Sequence, residues 1–407
     1  MNYDVIIVGG GASGLVAAIT SARRGQSVLV IEHKEKVAKK ILATGNGKCN
    51  YSNTYFDEEV YRSDQPSFVY PVLEQFGVAD TIAFFEELGV YPKDRNGYLY
   101  PNSGQAASIL DVLRMEVERL HVTVLCEEHV EAVNKKKKSF EVKTNKTVYL
   151  GKAVILCTGG KASENLGSDG SGYQLAKAFG HRCIPVVPAL TALRSPKKFF
   201  KAVSGVRTDV KITLLVDRKK VATQEGELQL TDYGVSGIPT FQISRYATRA
   251  LYEKKMVDVV IDFLPNLSFN ESVDLIQRRI KSNKNKTVEQ FFVGLLNNKL
   301  SSQLIKEAGV SADRQVGSLG KQDIKQLLDT IKSFTAPIND SNAFSQSQVC
   351  AGGIDTRDIS PDTMESKLMP GLFFAGELVD VDGTCGGYNL QWAWSSGFVA
   401  GSHCNRA

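Results

Sequence analysis

Apolar and polar positions at the start of the chain fall into three short blocks. Asp4–Val8 is an almost unbroken apolar run, as expected of a strand covered on both faces. Ser13–Arg24 is a small-residue segment that stops at Gly25, the usual place of a left-handed helix cap. Ser27–Ile31 is apolar again. Strand, helix and strand in so little sequence predict a βαβ unit. Leu110–Arg119 then reads as a helix and Val122–Cys126 as a strand. Val130–Val133, Phe140–Val142 and Val148–Leu150 alternate with polar residues and are joined by tight polar turns, which predicts a three-stranded antiparallel meander. Ala153–Cys157 is apolar and runs into Thr158-Gly159-Gly160, and Asp169–Ala178 predicts a helix with Gly180 as its stop.

The style changes near Pro188. Residues 190–264 alternate with period two, as in Val210–Val216, Glu227–Leu230 and Val257–Phe263. Residues 268–334 look wholly helical, with apolar positions at three-to-four spacing in Glu271–Lys281, Val288–Leu296, Ser302–Ala308 and Lys321–Ser333. From Val349 glycine-rich strands return: Gly371–Ala375 reads as a strand and Leu390–Ala400 as an apolar helix. The pattern predicts an α/β chain. Both of its ends (1–188 and 337–407) build one Rossmann-type domain carrying the meander. A β-rich, barrel-like domain (189–266) and a helical domain (267–336) are inserted between them.

The first turn carries chemistry. Gly9, Gly11 and Gly14 sit in Gly-x-Gly-x-x-Gly spacing between a strand and a helix. The first allows the tight turn, the second lets backbone approach a pyrophosphate, and the third lets helix and strand pack closely. Ala12 and Ser13 open a helix whose free N–H groups and dipole favour phosphate. Glu32 ends the second strand, where a carboxylate accepts from ribose hydroxyls and disfavours a 2′-phosphate. Alone the glycine spacing is weak; in this context it predicts FAD or NAD. A second glycine-rich helix start, Gly386-Gly387-Tyr388-Asn389-Leu390, follows Gly376-Glu377 near the other end. A helix end there stabilises the negative charge of a reduced flavin, which a plain NAD dehydrogenase does not need, so FAD is the expected cofactor.

Composition removes other classes. A net charge of +5 over 407 residues is no nucleic-acid footprint, and Lys135–Lys138 between two alternating segments reads as a solvated hairpin tip. Seven cysteines without a Cys-x-x-Cys pair form neither a disulfide framework nor a zinc ribbon, and five histidines without helical His-x-x-x-His spacing predict no metal site. Neither a leader segment nor an apolar stretch of membrane-spanning length is read, so the expectation is a cytoplasmic protein, a monomer or weak dimer, with no nucleic acid or membrane partner.

Further motifs run through the whole chain. They include Ile6-x-Val8-Gly9-Gly10-Gly11 with Glu32, and the loop Ala43-Thr44-Gly45-Asn46-Gly47-Lys48-Cys49-Asn50 followed by Ser52-Asn53. Gly226-Glu227-Leu228 with Thr231, Gly234 and Ser236-Gly237 lies in the middle; Ala351-Gly352-Gly353-Ile354 and Ala375-Gly376-Glu377 come last. In these residues the chain resembles the two-dinucleotide-binding-domain flavoproteins, and more narrowly the BaiN/RdsA-type bacterial family that includes aminoacetone oxidases. Ile238 departs from the expected Ser-Gly-Pro order before Pro239. The resemblance implies FAD, a three-domain build and an oxidoreductase. It implies that loop 43–50 passes near the isoalloxazine, with Lys48 offsetting charge and Asn50 donating to the ring. It also brings His33, Lys40, Thr44, Gly45, Gly47, Cys49, Val130, Thr158, Gly159, Gly160, Gly376, Glu377, Gly387, Tyr388, Asn389 and Leu390 into the cofactor set.

The expected reaction is hydride transfer between flavin N5 and a small organic substrate, with transient NAD(P)H or oxygen as the other partner. An RNA-modification factor or a non-catalytic flavoprotein is the alternative. Cys49, Tyr233, Cys350, Cys385 and Tyr388 are the substrate-side candidates, and no general base is named. A redox thiol pair would draw on the three cysteines, but without Cys-x-x-Cys they read as small hydrophobes.

Overall fold

A computed structural model describes residues 2–404. The chain divides into two compact units: everything up to Val187 together with Phe344 onward, and Pro188–Ala343 between them.

In the first unit the apolar runs lie side by side. The sheet order is Thr123–Leu125, Val28–Ile31, Asn2–Val8, Val148–Leu156, Phe140–Thr144, Val130–Lys135, and Leu372–Phe374 pairs with Val148–Leu156 as well. Pairing is parallel from Thr123–Leu125 through to Val148–Leu156 and on to Leu372–Phe374; the two meander strands are antiparallel. Val148–Leu150 and Ala153–Cys157 are therefore not separate strands. They form one nine-residue strand whose first half alternates buried and exposed and whose second half is buried throughout. The change of period, not a break, is what the sequence shows there: Tyr149 faces a one-sided meander, while Val154–Leu156 lie between Asn2–Val8 and Leu372–Phe374. Lys135 closes its strand over the ring of Phe140 at 3.9 Å, which leaves a shorter basic tip than Lys135–Lys138.

The two chain ends meet at the helices Ala12–Arg23 and Tyr388–His403. Both are buried nearly all round. A Cβ on Gly397 would overlap the Ser13 carbonyl oxygen, and one on Gly401 would stand 2.6 Å from the Ala17 carbonyl oxygen. Glycines four apart thus let the helix backbones touch. Trp392 donates from Nε1 to the Gly376 carbonyl at 3.0 Å, and Trp394 to the Tyr51 carbonyl at 2.9 Å, so both do more than fill space. Trp394→Phe leaves the Tyr51 oxygen buried without its donor. The expected cost is about 1–3 kcal/mol, read from denaturant unfolding; an unchanged midpoint would show that the bond adds nothing.

In the second unit seven antiparallel strands run in the order Phe334–Ile338, Val257–Asp262, Arg207–Val216, Lys219–Thr231, Gly234–Ser236, Leu193–Arg194, Asp340–Ser341. The helices Phe269–Ser282, Asn298–Glu307 and Lys321–Lys332 bury Ile276, Leu300, Leu304, Leu328 and Ile331 in the same core as Val210, Ile212, Val259 and Ile261. The stretch 190–264 is not wholly β: it contains the fifteen-residue helix Ile238–Tyr252. Its β-branched and aromatic content hid it. Ile243, Ala247 and Ala250 nevertheless bury one stripe, and Pro239 sits in the first turn, where its missing N–H costs nothing. Ile238 occupies the exposed first helical position, so the departure in the motif disturbs no packing.

Candidate active site

The phosphate turn is built by three glycines with three different tasks. Gly9 has φ +102°, and its Cβ would stand 2.5 Å from the Cys157 carbonyl oxygen. A Cβ on Gly14 would overlap the Gly9 carbonyl oxygen, so only glycine lets the helix sit down on the turn. Gly11 has ordinary extended backbone, and its Cβ would meet nothing within 4 Å. It faces open space at the N-cap of Ala12–Arg23, a helix with neither a side-chain cap nor an acid in its first turn. Ala12 follows it there. Ser13 is turned inward: its Oγ would lie 2.5 Å from a Cβ on Gly376.

Glu32 is buried and accepts from Gly10 N at 2.9 Å and Lys34 N at 2.8 Å, so it holds the turn as well as facing it. Oε2, with Gly10 N alone on it, keeps a second acceptor position for a ribose hydroxyl. His33 Nδ1 is 3.3 Å from Glu32, and its ring stands edge-on to His129 with centroids 6.1 Å apart. Val130 is buried and opens the meander at a bulge.

A second wall joins the Thr158-Gly159-Gly160 turn to the C-terminal segment. Thr158 fills the notch left by Gly172 in the helix Ser171–Lys177, and Gly159 takes φ +70°. Gly160 leaves room for Glu377 and Cys350: its Cβ would stand 3.1 Å from Glu377 Oε1 and 3.2 Å from Cys350 Sγ. Glu377 accepts from Cys350 N at 2.7 Å and pairs with Lys40 at 2.8 Å; Lys40 also donates to Ala162 O at 3.1 Å. Lys40 and Glu377 are thus each other's partners, clasping three loops.

The third wall is the Thr44–Asn50 loop. Gly45 and Asn46 are both left-handed, at φ 55° and 53°, and Gly47 follows at φ 80°. Thr44 Oγ1 donates back to Ile41 O at 2.6 Å, and Lys48 is exposed. Asn50 Oδ1 is buried without a hydrogen-bond partner. It lies 3.0 Å from where a Cβ on Gly387 would stand. Gly387, at φ 96°, is the N-cap of Tyr388–His403, which likewise has neither a side-chain cap nor an acid in its first turn. Tyr388 is buried and donates from its hydroxyl to Tyr55 O at 3.0 Å. Asn389 uses both ends of its amide on Gly383, accepting at 2.8 Å and donating at 2.9 Å, so it braces the turn; Leu390 is half-buried behind it.

The substrate-side candidates divide. Cys49, Cys350, Cys385 and Tyr388 belong to the first unit; Tyr233 belongs to the second, where its hydroxyl accepts from Asn342 at 3.1 Å and Arg194 covers its ring at 4.5 Å. All seven cysteines are free. Burial pushes the Cys49 and Cys385 thiols up to about 12, and burial with the Glu377 carboxylate raises Cys350 further. Thiols so raised stay protonated, and unreactive, through the neutral and mildly alkaline range. Native protein treated with iodoacetamide is therefore expected to keep Cys49 and Cys350 unmodified from pH 7 to about pH 10, with no rise near an ordinary thiol pKa. Rapid labelling at pH 8, read by peptide mass spectrometry, would contradict this. Sequence reasoning missed the Tyr98 and Tyr55 neighbourhood; alternation in Tyr98-Leu99-Tyr100 was the signal for its hairpin, Pro92–Arg95 with Tyr98–Pro101.

By its family and its relatives the chain is a Rossmann-type, nucleotide-binding flavoprotein oxidoreductase. The family described as "HI0933-like protein Rossmann domain" matches residues 3–403, and the chain belongs to that family. The resemblance to BaiN/RdsA-type flavoproteins holds along its length. It is 44% identical over 397 residues to the 3-dehydro-bile acid delta(4,6)-reductase of Clostridium scindens, covering 97% of each chain. It is 34% identical over 411 residues to the ribosomal RNA dihydrouridine synthase of Haemophilus influenzae, covering 98% of each. The structure of 3-ketosteroid-delta4-(5alpha)-dehydrogenase from Rhodococcus jostii RHA1 shares the fold, with a TM-score of 0.50 at 16% identity over 100% of this chain and 97% of that one. Among the described residues no helix is long and apolar enough to cross a membrane, and no group of three or more His, Cys, Asp or Glu could hold a metal ion.

Proposed function

We propose that the chain binds FAD between its two ends and reduces a carbon–carbon double bond conjugated with a carbonyl group in a small molecule. The observation that carries the cofactor reading is the open space at Gly11 on an uncapped helix start, where every neighbouring glycine is crowded. Backbone N–H groups there suit a pyrophosphate, Glu32 suits a ribose, and the orphaned Asn50 carbonyl beside the Gly387 helix start suits an N–H of a flat ring.

The bond chemistry is supported by the relatives. One is named for reducing the Δ4,6 unsaturation of a 3-dehydro bile acid and another for making dihydrouridine. Both names describe saturation of a double bond conjugated with a carbonyl: a hydride adds to the electron-poor end of that bond, and a proton drawn from solvent adds to the other end. Bound flavin supplies the hydride when reduced. The protein's part is to hold the cofactor, to offer the positive end of Tyr388–His403 to developing negative charge, and to exclude water with buried Tyr388 and Tyr61. Transient NAD(P)H is the proposed electron source.

Anaerobic mixing with NADH or NADPH should bleach the flavin band, and a conjugated enone should restore it without oxygen. Bleaching by amines, with reoxidation by oxygen alone, would point to an oxidase instead. The same bond chemistry on a uridine of ribosomal RNA is the second reading, favoured by the Haemophilus relative. The 44% relative and the modest net charge of +5 favour a small molecule. Conversion of uridine to dihydrouridine in added ribosomal RNA, read by mass spectrometry, separates the two.

A further inference from the structure

The first unit carries an aromatic patch at its surface. Tyr55, Phe56 and Tyr98 are 61%, 49% and 41% exposed. Large apolar rings grouped at a surface are a marker of binding. These are not loosely held. Tyr98 pairs with Asn53 across the Ser52–Asn53 strand, and Asn53 Nδ2 donates to Gly386 O at 2.9 Å. Asn53 Oδ1 accepts from Tyr55 N at 2.9 Å, and Tyr55 O accepts the Tyr388 hydroxyl at 3.0 Å. Tyr98 Cε1 stands 3.2 Å from where a Cβ on Gly386 would be, so the ring lies against that turn. Phe56 meets Tyr61 and Tyr70 with centroids 6.4 and 6.1 Å away. The patch is therefore continuous with the turn that starts the second helix, and fixed to it by three hydrogen bonds that run through Asn53, Tyr55 and Tyr388.

We propose that Tyr55, Phe56 and Tyr98 form a platform that takes the flat face of a fused-ring enone and presents its conjugated bond at the Gly386–Gly387 turn. This rests on the reaction proposed above and names its substrate class. Charge decides against a polyanion: exposed Lys93 and Arg95 are offset by exposed Asp57, Glu59 and Asp94. Phosphate-led binding needs an unbalanced basic face, whereas an uncharged ring system needs rigid aromatic area, which these three rings supply. The bile-acid relative, at 44% identity, fits such an occupant. The three rings touch substrate and position it; none moves a proton.

The test uses flavin-loaded protein with two probes, 4-androstene-3,17-dione as a fused-ring enone and 2-cyclohexenone as a small one. In the double variant Tyr55→Ala with Tyr98→Ala, flavin content and the rate of flavin bleaching by NAD(P)H should be unchanged. The steroid Kd, read from the perturbed flavin spectrum, should rise about tenfold or more, while KM and kcat for cyclohexenone stay within about twofold. The single variants Tyr98→Ala and Tyr55→Leu, each expected to weaken the steroid about threefold, give the same reading should the double variant lose its flavin. An unchanged steroid Kd, equal weakening of both probes, or no steroid binding by the wild type overturns the platform. A wild type that binds the steroid but reduces neither enone overturns the reaction and leaves the platform standing.

Discussion

Gly11→Val is expected to give a folded, colourless and inactive protein. The backbone at Gly11 is extended, so valine is not strained there, and its Cβ meets no atom within 4 Å. The added methyl groups fill only the space in front of the first helix start. If a pyrophosphate lies in that space, its N–H donors become unreachable. FAD affinity should fall at least about 100-fold, close to 3 kcal/mol. The comparison is between apoproteins, because bound FAD stabilises whichever form holds it; apo wild type and Gly11→Val should unfold within about 0.5 kcal/mol of each other. Gly14→Ala is the contrast. Its Cβ overlaps the Gly9 carbonyl oxygen, so it should lose structure as well as cofactor. A Gly11→Val protein that purifies with a full complement of flavin would remove the pyrophosphate from this turn.

The second large effect is expected at the helix contact that joins the chain ends. Gly401→Leu places a Cβ 2.6 Å from the Ala17 carbonyl oxygen and the rest of the side chain inside a packed interface. Neither backbone can yield without lifting Tyr388–His403 from Ala12–Arg23. The cost should reach at least about 3 kcal/mol, with much of the protein insoluble and the soluble part poor in flavin, since the two helix starts separate. Gly401→Ala should show the same direction more weakly. Unfolding midpoints and flavin-to-protein absorbance ratios read both changes. Wild-type values for Gly401→Leu would mean that the ends do not depend on this contact.

These two glycines mark what was and was not legible in the sequence. Gly11 and Gly14 belong to a spacing whose physical reasons are known one residue at a time, so the phosphate turn and its strand–helix–strand setting could be read directly. Gly397 and Gly401 lie in a helix whose partner is far away in sequence, and only the fold reveals them. The same holds for Lys40 and Glu377: each looked like a cofactor contact, and each is also the other's counter-ion. Asn389 sat in a diagnostic motif, yet both ends of its amide brace Gly383. Local patterns failed where one element changes surroundings midway, as in Val148–Leu156, or where β-forming residues are held helical by a buried stripe, as in Ile238–Tyr252. Tertiary packing overrides propensity in both. The loop Gly45–Asn50 was legible as a backbone oddity, but that Asn50 would face a helix start was not.

In the proposed arrangement one FAD is held by main-chain amides at two helix starts contributed by opposite ends of the chain. The most direct measurement is to purify the protein, reconstitute it with excess FAD, remove unbound flavin, denature, and identify and count what is released. The expected release is FAD, intact and close to one equivalent per chain. FMN in its place, or a protein that stays colourless after reconstitution, would contradict it.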